Sequence, residues 1–350
     1  MNFDLHGLFK FRIEGTDKRL QKYFKRDYAC FQTNDAIKSE LDIIVGDYTP
    51  SDADCYIIDH KYYVKQNYMF WKDRHKIVRW STLIENIETK PVVHFKGGLF
   101  SEIFLRENII EPLIGLKLAQ KGFSLLHASG IAFDNSGVVF PAGKGVGKTS
   151  TILNLSLEKG SLFLANEPII ISDDGMVYSF PSRIRLYHYN LKYIPQIYQR
   201  LTLKERLEFK LKHLIYVLSL KYGCLGLDIN PRKIFKKIGN RHRLQSLVLL
   251  TRTNKDTINI KENINKEELI KRLVIINRND MKYFSDCLEA YSYVCPNSAA
   301  NSYWQTLENN LLGALATVSC HEIEIPFEYD SNVYGEIYKF LNRQLGSEVK

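Results

Sequence analysis

The sequence predicts a mixed α/β (α+β) chain with a β-rich N-terminal domain over residues 1–100 and a second, α/β domain over residues 101–350. Three observations carry that prediction. Short alternating apolar and aromatic runs, punctuated by turn formers, fill the first part; a helical period follows from residue 100 to 120; then a strand, a glycine-rich loop and a helix come in direct succession.

In the first part, strands are expected at residues 7–14, 41–45, 55–59, 62–66, 76–82 and 91–95, with Asp59-His60-Lys61 and Lys72-Asp73-Arg74-His75 as turns of an antiparallel sheet. In the helix over 100–120, Ile103, Ile110, Ile114 and Leu118 share one face, Pro112 kinks or splits it, and Gly122 ends it. A strand over 123–133 turns at Asp134-Asn135-Ser136-Gly137 into a second at 138–140, and a helix over 151–159, closed by Gly160, follows the loop. Beyond it the pattern predicts strands at 161–164, 168–172, 176–180 and 182–187, with Asp173-Asp174-Gly175 as a hairpin turn. A charged helical stretch over 192–220 and a basic run over 231–243 form a helical basic insertion near 192–243. Strands at 247–250 and 322–325 and helices at 266–273, 300–315 and 334–345 complete the chain.

Composition narrows the class. At 350 residues, 45% hydrophobic and 25% charged, the chain can bury a full core without disulfides or metals and is neither collagen-like nor disordered. Lysine and arginine (48) exceed aspartate and glutamate (39), giving a net charge of +9 that favours an anionic partner. Cys30, Cys55, Cys224, Cys287, Cys295 and Cys320 are scattered, with no C-x-x-C pair, and read as reduced thiols of a cytoplasmic protein. No targeting peptide is read at the N-terminus, and no apolar run approaches the roughly 20 residues that span a bilayer, so no membrane partner is expected.

The strongest chemical signal is Ala142-Gly143-Lys144-Gly145-Val146-Gly147-Lys148-Thr149, which follows the spacing G-x-x-x-x-G-K-[ST] with alanine first. By chance such a pattern arises in roughly one chain of this length in forty, and its place between strand and helix lowers that further. A loop that turns several amides inward needs backbone freedom, which Gly143, Gly145 and Gly147 supply. The amides of residues 142–150, Ser150 included, and the following helix N-terminus make a nest for phosphate oxygens. Lys148 reaches the β- and γ-phosphates of ATP, and the Thr149 hydroxyl is a ligand for Mg²⁺.

Leu125-Leu126-His127-Ala128-Ser129-Gly130, the turn, the strand, the loop, the helix and Leu164-Ala165-Asn166-Glu167 together resemble the HPr kinase/phosphorylase family and its wider relatives over about residues 105–190, and more faintly at 247–250. The resemblance implies the fold shared with phosphoenolpyruvate carboxykinases and an ATP-dependent kinase transferring the γ-phosphoryl group to a hydroxyl. Family members act on a serine of a carrier protein, on free serine or on the terminal serine of a peptide, so the acceptor here is a small molecule, peptide or protein. The family's first loop glycine falls on Ala142, the other two on Gly145 and Gly147, the lysine on Lys148 and the magnesium-binding hydroxyl on Thr149; Lys144 replaces its loop serine. Gly143 is expected to restore the freedom that Ala142 lacks. The two family aspartates fall on Asn166 and Glu167, and the family histidine on His127.

An isolated histidine on an apolar strand is ordinarily a hydrogen-bonded core residue; in its matched surroundings, His127 orients the acceptor or contacts the γ-phosphate. Glu167 by itself reads as a solvated strand end; opposite Thr149 it holds magnesium or accepts the hydroxyl proton. Asn166 can ligate or orient without taking a proton. Arg183 and Arg185 alternate on one strand face, as acceptor-binding candidates or as a plain exposed face. Tyr62, Tyr63, Lys65, Tyr68, Phe70, Trp71, Lys72, Arg74, Lys76, Arg79 and Trp80 interleave rings and charges, either to bind nucleic acid or, as the simpler reading, as strands with an aromatic core face. The alternatives to a hydroxyl kinase are therefore a nucleotide-regulated nucleic-acid-binding protein, an RNA-directed kinase, and an ATPase or phosphohydrolase of the same fold. A homo-oligomer is left open.

Overall fold

The computed structural model describes residues 1–157, 161–218, 226–235, 237–328 and 332–346. The expectations at Lys159, Gly160, Leu220, Cys224 and Lys236 lie outside the described residues. The chain divides into two compact units, one of residues 1–125 with 277–310 and one of residues 126–276 with 311–350. The expected boundary at residue 100 is thus displaced: the helical stretch after it stays with the first unit, and a later segment rejoins that unit.

In the first unit a nine-stranded sheet runs from Gln32–Thr33 at one edge to Tyr56–Ile58 at the other. It is mixed rather than antiparallel, because Phe9–Gly15, Leu41–Val45 and Val92–Gly97 pair in parallel. Parallel neighbours need a crossover, and Lys18–Asp27 is a helix between the first two, started by Asp17, whose carboxylate accepts from the Arg19 and Leu20 amides. Lys72-Asp73-Arg74-His75, read as a turn, instead belongs to the strand Tyr68–His75, and the chain reverses one residue later, at Lys76, with φ of 54°. Of the interleaved rings, Tyr62, Tyr68, Phe70, Trp71 and Trp80 are buried. Tyr62 meets Trp71, and Tyr63 meets Phe70, across neighbouring strands. Those buried rings are sheet packing and offer bases no stacking platform.

The helix after residue 100 is continuous but passes through a π-turn, Arg106–Ile110, immediately before Pro112 in the second turn element Glu111–Ala119. The π-turn buries Arg106 against Asp27 at 2.5 Å and Glu111 at 3.2 Å. A buried guanidinium demands such carboxylates.

The second unit is built on a mixed sheet ordered Ile169–Ser172, Met176–Tyr178, Arg241–Thr253, Ser136–Pro141, Ala128–Phe133, Ser161–Ala165. Arg241–Thr253 is its long central strand. Its first residues pair with Met176–Tyr178 and its last eight run parallel to Ser319–Pro326. Arg241 and Arg243 therefore belong to the sheet, not to a basic insertion; the insertion itself is His188–Tyr193, Pro195–Arg200, Leu203–Leu218, the strand Leu227–Ile229 and Pro231–Ile234. Phe140, Ile152, Phe163, Val248, Ile323 and Ile337 meet in the core, which fixes the helix Lys148–Leu155 on the sheet. Burying such side chains contributes about 2 kcal/mol each before entropy is counted. Among the described residues no helix is long and apolar enough to cross a membrane, and the described cysteines are free thiols.

Candidate phosphate-binding and phosphotransfer site

Strand register, rather than sequence proximity, assembles the site. Ala128–Phe133 and Ser136–Pro141 form a tight antiparallel hairpin with Ala128 opposite Pro141, so His127 falls beside the first loop residue, Ala142. On the other side Ala128–Phe133 pairs antiparallel with Ser161–Ala165, with Gly130 opposite Ala165, which brings Asn166 and Glu167 back toward Ser129 and His127. Two side-chain hydroxyls secure that strand end: Ser129 Oγ donates to the Asn166 carbonyl, and Ser182 Oγ to the Glu167 carbonyl at 2.9 Å. Histidine and carboxylate thus lie at the ends of neighbouring strands, with the histidine's strand between the carboxylate's and the one that leads into the loop.

Within the loop, Gly145 and Gly147 take φ of 75° and 116°, the second as the residue that starts the helix Lys148–Leu155. Residues with a Cβ pay for that backbone conformation. Gly143 is not among the positive-φ glycines, and a Cβ there would meet only Val146 Cγ2, at 3.9 Å. The expectation that Gly143 makes good the lost freedom of Ala142 is therefore not met. Ala142 is fully buried and pairs with Leu250, so the first loop position is a strand end that tolerates a methyl group.

Lys148 is the hub. Its Nζ lies 2.9 Å from His127 Nε2, 3.1 Å from Glu167 Oε1, 2.7 Å from the Ala142 carbonyl and 3.2 Å from the Gly143 carbonyl. The ammonium is a donor only, so the imidazole can meet it only through an unprotonated ring nitrogen. His127 Nε2 and Glu167 Oε1 are 3.6 Å apart. His127 and Lys148 are buried while a third of the Glu167 side chain reaches solvent, which leaves the carboxylate as the accessible member of the trio.

Thr149 is half-buried in the first helical turn, and Ser150 is buried with its Oγ accepting from Asn190 Nδ2 at 3.0 Å. Ser150 anchors the loop helix to the helix His188–Tyr193. Lys144 is exposed at the loop crest. Asn166 is buried, and its Oδ1 has no hydrogen-bond partner among the described residues. Arg183 and Arg185 both reach Asp228 across a two-stranded ladder, Nη2 to Oδ2 at 3.6 Å and Nε to Oδ1 at 3.0 Å. The hairpin turn Asp173-Asp174-Gly175 forms as expected, with Gly175 at φ 79°.

Sequence reasoning missed Arg252. It lies on the last turn of the central strand, beyond the expected end at 250, and donates from Nε to the Val146 carbonyl at 3.1 Å. Its neighbour Thr251 donates to Glu322, which also binds Arg272. A cavity of about 360 Å³ opens on this flank, lined by Gly143, Val146, Leu249, Thr251, Arg252 and Ile276 among others. The strand's alternation of exposed and buried positions ends at residue 246, so no local pattern marks Arg252.

The donor set suits a nucleotide with magnesium. A helix N-terminus and one ammonium match phosphate oxygens, and magnesium asks of the protein only one or two oxygen ligands, the rest coming from phosphates and water. Thr149 and Glu167 are the residues that would offer those oxygens, and among the described residues no group of three or more metal-ligating side chains exists.

No family model matches the chain, and no curated protein does. Among solved structures it is similar to the HPr(Ser) kinase/phosphatase from Coxiella burnetii over 64% of this chain and 92% of that one, with a TM-score of 0.32 and 10% sequence identity. That is a distant structural relationship, at which neither activity nor substrate carries over.

Proposed function

We propose that the chain is an ATP- and magnesium-dependent kinase that transfers the γ-phosphoryl group to a hydroxyl of a small molecule, peptide or protein. The observation that carries this reading is the convergence of Lys148, His127 and Glu167, from three separate segments, at the mouth of a glycine-rich loop that opens a helix. When bound, ATP supplies the phosphoryl group and magnesium neutralises its charge. In this reading Lys148 and the loop amides hold the phosphate oxygens; Thr149 offers an oxygen to the cation; Glu167 either shares the cation or takes the acceptor's proton; and His127, beside Lys148, orients the acceptor or meets the γ-phosphate.

The test is transfer of label from γ-labelled ATP to pooled metabolites, serine-containing peptides and RNA. Label should move to one acceptor pool, and Lys148→Ala should abolish the transfer while leaving the fold intact. Transfer that persists in the Lys148 variant defeats the proposal. Release of inorganic phosphate with no labelled acceptor would replace it by the phosphohydrolase reading.

A further inference from the structure

The helix Leu203–Leu218 divides its residues between two faces in a way that the phosphate site does not explain. At the spacing i, i+4, i+7, i+11, Glu205, Phe209, Lys212 and Tyr216 point into the second unit. Phe209 is buried there, Glu205 accepts from Lys233 and the Thr202 amide, Lys212 donates to the Gly226 carbonyl at 3.0 Å, and the Tyr216 ring lies 4.6 Å from that of His188. These contacts hold the helix in place by one side only.

The opposite side carries Leu203, Leu207, Leu211, Leu214, Ile215 and Leu218, between 40% and 84% exposed. Residues 207, 211, 214 and 218 follow the 4-3-4 spacing of the seam between two packed helices. The stripe presents on the order of 600 Å² of apolar surface per copy, at the upper end of the roughly 300–600 Å² that a monomer leaves in one patch and close to the roughly 800 Å² per partner of a standard interface. Water is a poor partner for a face of that size.

We propose that this face pairs with the same face of a second copy of the chain, forming a two-fold symmetric dimer with leucine packed on leucine. Spacing favours a second copy over a lipid surface: a 4-3-4 seam is completed by the same seam on another helix, and two such stripes together approach the low end of the area a specific interface buries. A two-fold interface is self-complementary, so a single stripe suffices on each copy. Because the seam points away from the side that anchors the helix, pairing requires no rearrangement of the unit that carries the phosphate loop.

The test is the mass of the full chain by sedimentation velocity and light scattering at micromolar concentration, for the wild type and for Leu211→Glu/Leu214→Glu. The wild type should be a dimer and the double variant a monomer, halving the mass, with unchanged circular dichroism. An added cysteine in Leu211→Cys should cross-link two copies on mild oxidation. A monomeric wild type overturns the proposal, as does a dimer that survives the double substitution. So does wild-type protein that sediments with phosphatidylglycerol vesicles yet stays monomeric without them. None of these outcomes depends on kinase activity.

Discussion

Arg252 and Val146 are joined across the phosphate loop: the guanidinium Nε donates to the loop carbonyl at 3.1 Å, while Nη1 donates to the carbonyls of Pro326 at 2.9 Å and Phe327 at 2.8 Å. One planar fork therefore ties the loop to the ends of two neighbouring strands. The loop's amide directions depend on this tie as well as on its glycines.

Arg252→Lys keeps the charge and loses the fork. Hydrogen bonds to a charged group contribute about 1.5–3 kcal/mol, so the KM for ATP should rise about tenfold or more while kcat changes far less. Steady-state kinetics with varied ATP checks the split. A lowered melting temperature with unchanged kinetics would mean that Arg252 only fastens the strand ends.

The loop glycines are not equivalent. Gly147→Ala forces a Cβ into φ 116° and should cost roughly 1–2 kcal/mol and most of the nucleotide affinity. Gly143→Ala meets only one methyl at ordinary contact distance and should bind ATP within about threefold of wild type. Calorimetric titration of ATP against the two variants separates them; equal losses would show that Gly143 moves when the loop is engaged.

The glycine-rich loop was legible because its pattern is local: a turn that needs glycine, a helix N-terminus and a lysine are adjacent in the chain. His127 and Glu167 were legible less directly, through tight antiparallel connections that return each strand end to the loop. The first part of the central strand, before the expected 247–250, was hidden because its exposed positions Arg241, Arg243 and Gln245 are charged or polar and mask the buried His242 and Leu244 between them. The parallel pairing of Phe9–Gly15 with Leu41–Val45 was hidden by a short, charged crossover helix whose one clear signal is Asp17. Nothing local marks residues 277–310 for the first unit; their partners are set by packing alone. The same holds for the paired Arg183 and Arg185, whose carboxylate lies more than forty residues downstream.

The strand Ser319–Pro326 sets an acid limit on stability. Lys255, Lys261 and Asn259 bond the Glu324 carboxylate and hold it down at about 2, against an ordinary 4.5. Burial alone would raise Glu322, yet bonds from Arg272 and Lys261 keep it below its ordinary value. A carboxylate with a depressed folded pKa binds fewer protons folded than unfolded. The stability it lends is whole above the ordinary value and drains away as pH falls from there toward about 2. Urea unfolding between neutral and strongly acid pH should show this slope, and Glu324→Gln should flatten it by lowering stability at neutral pH only. An unchanged slope in that variant would place the acid sensitivity elsewhere.

Asn166 offers the sharpest separation of function from fold. Its Oδ1 is buried without a hydrogen-bond partner among the described residues, a condition that costs a protein free energy and calls for an explanation. The near-isosteric Asn166→Leu removes that orphan acceptor while its backbone carbonyl still accepts from Ser129, so stability should hold or rise by roughly 1 kcal/mol. If the amide orients the acceptor or a water on the cation beside Glu167, phosphoryl transfer should fall by about tenfold to a hundredfold in the same variant, with ATP affinity unaltered. A variant that is both stable and fully active would remove Asn166 from the site, and one that is unstable would show that the amide is satisfied in solution. Only the pairing of unimpaired folding with lost transfer fits an amide kept for chemistry at the end of the Ser161–Ala165 strand.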